Sequence, residues 1–128
     1  MIVVIALPLV AWFTVLARDQ QIGLAGVHRI LEKGPSMSDR DWHQAMADLR
    51  AADLLDPSTD WSVARANYLL LRDRRGALRV ADSVVRRDPN NLPAWMVILR
   101  TTRGDQPDRA ARASRAVRRL NPPPQLHR

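Results

Sequence analysis

At 128 residues the chain has room for one small domain and an accessory segment, and with no cysteine it excludes disulfides, thiolate metal sites and cysteine nucleophiles. Net charge is +7, residues 92–128 supply +6 of it, and of the 20 basic residues only Lys33 is lysine. An arginine surplus suits bidentate phosphate contacts, although a codon-composition bias towards Arg and Ala produces the same surplus.

Met1 to Ala17 (MIVVIALPLVAWFTVLA) carries no charged side chain. As helix, these 17 residues reach about 25 Å, the short end of a bilayer crossing. About ten strongly apolar residues at roughly 0.3–0.6 kcal/mol each favour insertion by several kcal/mol. Membrane helices tolerate a proline such as Pro8, and Trp12 and Phe13 suit an interface. The segment therefore reads as a single transmembrane helix over residues 1–17. A cleaved signal peptide competes, with Val15-Leu16-Ala17 as cleavage site, but no basic region precedes the apolar run. A buried core helix is the third reading, and no polar stripe supports it. Arg18, Arg29 and Lys33 follow the span and no side-chain charge precedes it, so the positive-inside rule places the rest of the chain in the cytoplasm. Asp19 and Glu32, interspersed, make that bias small.

Residues 18–34 continue as a juxtamembrane helix, with Ile22, Ala25, Val27, Ile30 and Leu31 on a loose apolar face. Gly34-Pro35-Ser36 breaks it. Ser38 or Asp39 caps a second helix over about residues 40–55, with Ala45, Leu49, Ala52 and Leu55 or Asp56 on one side. Asp56-Pro57 ends it, because the residue before proline avoids helical geometry. A helix over Asp60–Arg72 follows, with Trp61, Ala64, Tyr68 and Leu71 on its face. Asp73-Arg74-Arg75-Gly76 reads as a turn, and Ala77–Arg87 returns with Ala77, Val80, Ala81 and Val84. After Asp88-Pro89-Asn90-Asn91, Leu92–Thr102 carries Trp95, Ile98 and Leu99. Gly104-Asp105-Gln106-Pro107 turns the chain again, Asp108–Leu120 returns, and 123–128 is a proline-led tail. No useful stretch alternates with period two, so no sheet is expected.

The chain also repeats. Ala45 and Pro57 lie 12 residues apart, as do Ala77 and Pro89, and Ala110 and Pro122; the prolines are 32 and 33 apart. A period in the low thirties marks a stacked-helix array. The Ala-to-Pro interval resembles the second helix and exit of the tetratricopeptide repeat. Trp61 and Trp95, 28 and 27 residues before their prolines, match the aromatic early in that motif's first helix. Tyr68 falls where the motif often has tyrosine, and RRDPNN at 86–91 is similar to its inter-repeat loop. Arg65 and Leu99 stand where it prefers a small residue, and Ala81 and Ser114 where it has a large apolar one. The resemblance covers about residues 39–122, within a helical domain of 35–122. It implies a short α-solenoid of antiparallel helix pairs whose first helices line a groove, here with Arg65, Tyr68, Met96 and Arg100. The family's carboxylate-clamp residues have no counterparts in this sequence. The alternative is a generic antiparallel helical bundle. About two and a half repeats without a polar cap fall short of what such arrays need, so the juxtamembrane helix or a partner is expected to cover an open end.

Little in the sequence carries chemistry. His28 and Glu32 lie one turn apart, but two ligands do not make a metal site. Asp41 and His43 flank Trp42 without facing each other. No phosphate loop or nucleophile elbow is present, so no catalytic residue, cofactor or metal is assigned and the chain reads as non-enzymatic. Gly23 and Gly26 suit the close approach of a neighbouring helix. Arg109, Arg112, Arg115, Arg118 and Arg119 form a basic ridge on the last helix, opposite Ala110, Ala113, Val117 and Leu120. The ridge is either a solvated face or a contact for anionic lipid or an acidic protein. Nucleic acid is disfavoured, because no aromatic residues interleave with the arginines. The whole reads as an all-α, single-pass membrane scaffold that holds a protein partner, or alternatively as an accessory subunit of a larger membrane complex.

Overall fold

The computed structural model describes residues 21–54 and 58–122. All regular structure among them is helical, with no strand. Residues 21–33 form α1, and a 3₁₀ turn at Gly34–Ser36 leads into α2 (Asp39–Asp53). Then come α3 (Asp60–Leu69), α4 (Arg74–Arg87), α5 (Leu92–Thr102) and α6 (Pro107–Leu120). The expected transmembrane segment at Met1–Ala17, the Leu55-Asp56-Pro57 exit and the tail at 123–128 lie outside the described residues. No helix among the described residues is long and apolar enough to cross a membrane. The chain divides into two compact units, one ending at Trp61 and one starting at Ser62, so the boundary falls in the first turn of α3.

The first unit is organised by a glycine face. A side chain on Gly26 would lie 3.0 Å from the Ala45 carbonyl oxygen and 3.2 Å from Asp48 Cβ. One on Gly23 would lie 2.6 Å from the Trp61 ring. A side chain there would displace the Trp61 ring or press on the Ala45 carbonyl, so α1 meets α2 and the Trp61 ring at close range. This corrects the expected α1 face. Gly23, Gly26 and Ile30 point inwards, whereas Leu31 is 69% exposed and Ala25 is exposed. Close approach is possible where side chains are smallest, which favours turning the glycine side of α1 inwards. On α2 the expected Ala45, Leu49 and Ala52 are fully buried, joined by Trp42. Ser38 caps α2, its Oγ accepting from the Asp41 amide at 3.2 Å. Polar ties flank the seam: Arg29 Nη1 to Asp48 at 3.4 Å, and Lys33 Nζ to Asp41 at 2.8 Å. The Lys33 ammonium and the Ser38 hydroxyl, both hydrogen-bonded to the Asp41 carboxylate, hold its pKa below the usual value.

In the second unit α5 packs against α4 on one side and α6 on the other. Four-residue connections, 88–91 and 103–106, make these neighbours antiparallel. The core gathers Ala66, Ala77, Ala81, Trp95, Val97, Ile98 and Ala113. Three local signals set the helix ends. Asn91 Oδ1 accepts from the Ala94 amide at 3.0 Å and starts α5. Gly104, at φ +107°, makes the left-handed bend into α6, and Pro107 opens that helix. Thr101 and Thr102 are buried within α5, their hydroxyls donating to the Val97 and Ile98 carbonyls. Arg74 Nη2 donates to the Arg100 and Thr101 carbonyls at 3.2 Å, satisfying acceptors that the end of α5 leaves open.

Two sequence expectations change in this unit. Asp73–Gly76 is not a turn before the helix: Asp73 is the N-cap, Oδ1 accepting from the Gly76 amide at 2.8 Å, so α4 starts at Arg74. The buried line of α3 runs through Ser62 and Ala66 rather than Trp61, Ala64, Tyr68 and Leu71. Ser62 tolerates burial because Arg87 Nη2 donates to its hydroxyl at 3.2 Å. Leu71 lies past the helix end and is 70% exposed.

Candidate functional site

The basic ridge of α6 is not one surface. Near the helix start, Arg109 reaches across to α4, its Nη2 2.5 Å from Asp82 Oδ2, and also donates to Gln106 Oε1 at 3.1 Å. Its charge is answered within the fold. One turn on, the Arg112 guanidinium lies 6.0 Å from the centre of the Trp95 ring, within cation–π range. Trp95 is itself locked. It is 9% exposed, and its Nε1 donates to the Pro89 carbonyl at 2.9 Å. Arg115 and Arg119 have no acidic partner among the described residues.

Trp95 and Arg112 form the common wall of two open hollows. The first, about 290 Å³, is lined by Asp82, Val85, Arg86, Ile98 and Arg109 besides the shared pair. Its acid already pairs with Arg109. The second, about 310 Å³, adds Pro89, Arg115, Ala116 and Arg119 to that pair. It therefore places three arginines and no acid around an apolar floor. Like charges brought together in this way repel one another, and an anion seated among them is attracted by all three at once, which offsets that repulsion. Arg118 is exposed and lines neither hollow.

The groove residues expected from the resemblance sit elsewhere. Arg65 and Tyr68 share the half-buried side of α3, and Met96 and Arg100 share the exposed side of α5. None of the four lines either hollow. The residues that sequence reasoning did not assign to a site are Trp95, expected only as core, together with Pro89 and Ala116. A signal for them exists. Arg112, Arg115, Ala116 and Arg119 follow the i, i+3, i+4, i+7 spacing of one helical stripe, and the alanine leaves a gap among the arginines. Elsewhere His28 and Glu32 are 2.9 Å apart on an exposed turn. No group of three metal-ligating side chains comes together among the described residues.

Compared with models of protein families, with curated proteins and with solved structures, the chain has no significant match to any of the three.

Proposed function

We propose that the chain is a membrane-anchored, tetratricopeptide-like scaffold, non-enzymatic, that holds a protein partner. The observation that carries this reading is the spacing of the helices. α3 and α5 start 32 residues apart, at Asp60 and Leu92, and α4 and α6 start 33 apart, at Arg74 and Pro107. These are the intervals that separate the prolines in the sequence. Ala77, the first residue of one Ala-to-Pro interval, is fully buried, as the alanine of a packed second helix should be. The uncharged Met1–Ala17 run supports the anchor, and the Arg18, Arg29 and Lys33 bias supports a cytoplasmic domain. Arrays of this kind present surface rather than a closed pocket, which favours binding over catalysis.

The reading is tested in native membranes. Alkaline carbonate extraction is expected to leave the chain with the membrane; release into the soluble fraction would remove the anchor. Crosslinking with mass spectrometry is expected to return a recurring protein partner, and a chain that crosslinks to nothing would sink the scaffold. The alternative, an accessory subunit held by its transmembrane helix, predicts that the chain stays in a large particle after mild detergent extraction, whereas the scaffold reading allows it to migrate alone.

A further inference from the structure

The hollow bounded by Pro89, Trp95, Arg112, Arg115, Ala116 and Arg119 has a chemistry more specific than a basic surface. We infer that it docks an acidic segment of a partner protein, seating one Asp or Glu carboxylate between Arg115 and Arg119 and a neighbouring small apolar side chain against Ala116, Pro89 and the Trp95 edge. This rests on the reading of the chain as a holder of protein partners and says which partner chemistry that site takes.

Three observations select this occupant. First, the fold neutralises part of the ridge and leaves the rest. Arg109 has Asp82, and Arg112 has the Trp95 ring, whereas Arg115 and Arg119 have no acidic partner among the described residues. A partner that brings a carboxylate completes the pattern the Arg109–Asp82 pair already shows, and guanidinium is shaped for bidentate carboxylate binding. Second, the three arginines stand around an apolar floor in a recess of about 310 Å³, at the low end of ligand-pocket sizes. A peptide places an apolar and an anionic group side by side. A flat layer of lipid headgroups engages projecting charges and would use Arg118 as readily as Arg115, with no role for the recess. Third, the aromatic ring is not available as a stacking platform. Trp95 is 9% exposed, its Nε1 is held by Pro89, and one face lies under Arg112. Single-stranded nucleic acid needs an open aromatic face, so the ring serves here as floor.

The test uses the full chain in nonionic detergent and a fluorescent peptide of alternating Glu and Leu, with a Gln/Leu peptide as the neutral probe. The acidic peptide is expected to bind in a salt-sensitive manner and the neutral one not to bind. Arg115→Gln with Arg119→Gln is expected to weaken binding about tenfold or more, whereas Arg118→Gln changes it less than about threefold. Ala116→Gln leaves the charge unchanged and fills the recess; it is expected to weaken binding about fivefold or more, with thermal melting confirming that the variant is folded. With each arginine also changed singly, equal losses for Arg118→Gln and Arg115→Gln, or no loss in a folded Ala116→Gln, would overturn the docking site in favour of diffuse charge. So would tighter binding, through these same residues, to vesicles containing phosphatidylserine or to single-stranded DNA. The underlying scaffold reading fails separately. A peptide that does not bind, while crosslinking still returns a partner, sinks only the acidic site; binding with no crosslinked partner sinks only the scaffold.

Discussion

In the first unit helices meet over glycine, and in the second over alanine and a tryptophan. Gly26 brings α1 to the backbone of α2 at Ala45, and Gly23 meets the face of Trp61. Such a seam depends on nothing being added. The seam around Trp95 works in the opposite sense: one large ring packs among Ala77, Ala81, Ile98 and Ala113. Small residues leave room for it, and the unit depends on nothing being removed. Charge follows the same division. The first unit closes its seam with paired charges, Arg29–Asp48 and Lys33–Asp41. The second pairs Arg109 and leaves a surplus on α6.

The two seams respond differently to the removal and to the addition of volume. Deleting the ring in Trp95→Ala removes core area and leaves a cavity, and is expected to cost about 3–5 kcal/mol in denaturant unfolding, with hydrogen-exchange protection lost across α4, α5 and α6. Adding volume in Gly26→Val is the matching insult to the first unit. The Ala45 carbonyl oxygen belongs to the backbone and cannot step aside, so a loss of about 1–3 kcal/mol is expected, appearing as lost protection in α2. Removing a cap in Asp73→Ala is expected to cost about 1 kcal/mol and to loosen the first turn of α4, visible in the exchange of the Gly76 amide. Breaking the partly exposed pair in Arg109→Ala should cost less than about 1 kcal/mol, and a thermal scan at low and at high salt checks that the small effect is screened.

The smallest effect is one of pH. Asp41 titrates below its ordinary value because the Lys33 ammonium and the Ser38 hydroxyl bind its ionised form. A depressed carboxylate contributes stability at pH above its unfolded-state pKa, and that contribution disappears as pH falls through the lower folded-state value. Unfolding of the wild type should therefore lose stability on acidification in that window, and Asp41→Asn should remove that part of the slope. An unchanged slope would show that the Lys33–Asp41 contact does not persist in solution.

Much of the helical layout was legible in the chain. Ser38, the Asp88-Pro89 pair and Gly104 are local signals that act within one turn, so they ended or began helices where expected. The Ala45, Leu49 and Ala52 stripe was legible for the same reason. Exceptions came where a local residue had two roles. Asp73 reads as part of a turn until its carboxylate is seen to cap Gly76, and Leu71 reads as part of a face although the helix has already ended. Of the candidate site, the five arginines were legible from helical periodicity. That Arg109 is neutralised by Asp82, 27 residues away, was not, nor that Trp95 and Pro89 form the floor beside Arg115 and Arg119.

The sequence by itself determined that the described chain is helical, where most of its helices stop, and that its last helix is cationic along one side. These follow from backbone preferences and from periodicity, which are properties of neighbours in the chain. Only the tertiary structure decided which side of α1 is buried, that Ser62 and Ala66 form the buried line of α3, and which arginines remain uncompensated. Those outcomes depend on how near two helices can approach and on what meets a side chain from another helix, and neither is encoded within a single turn.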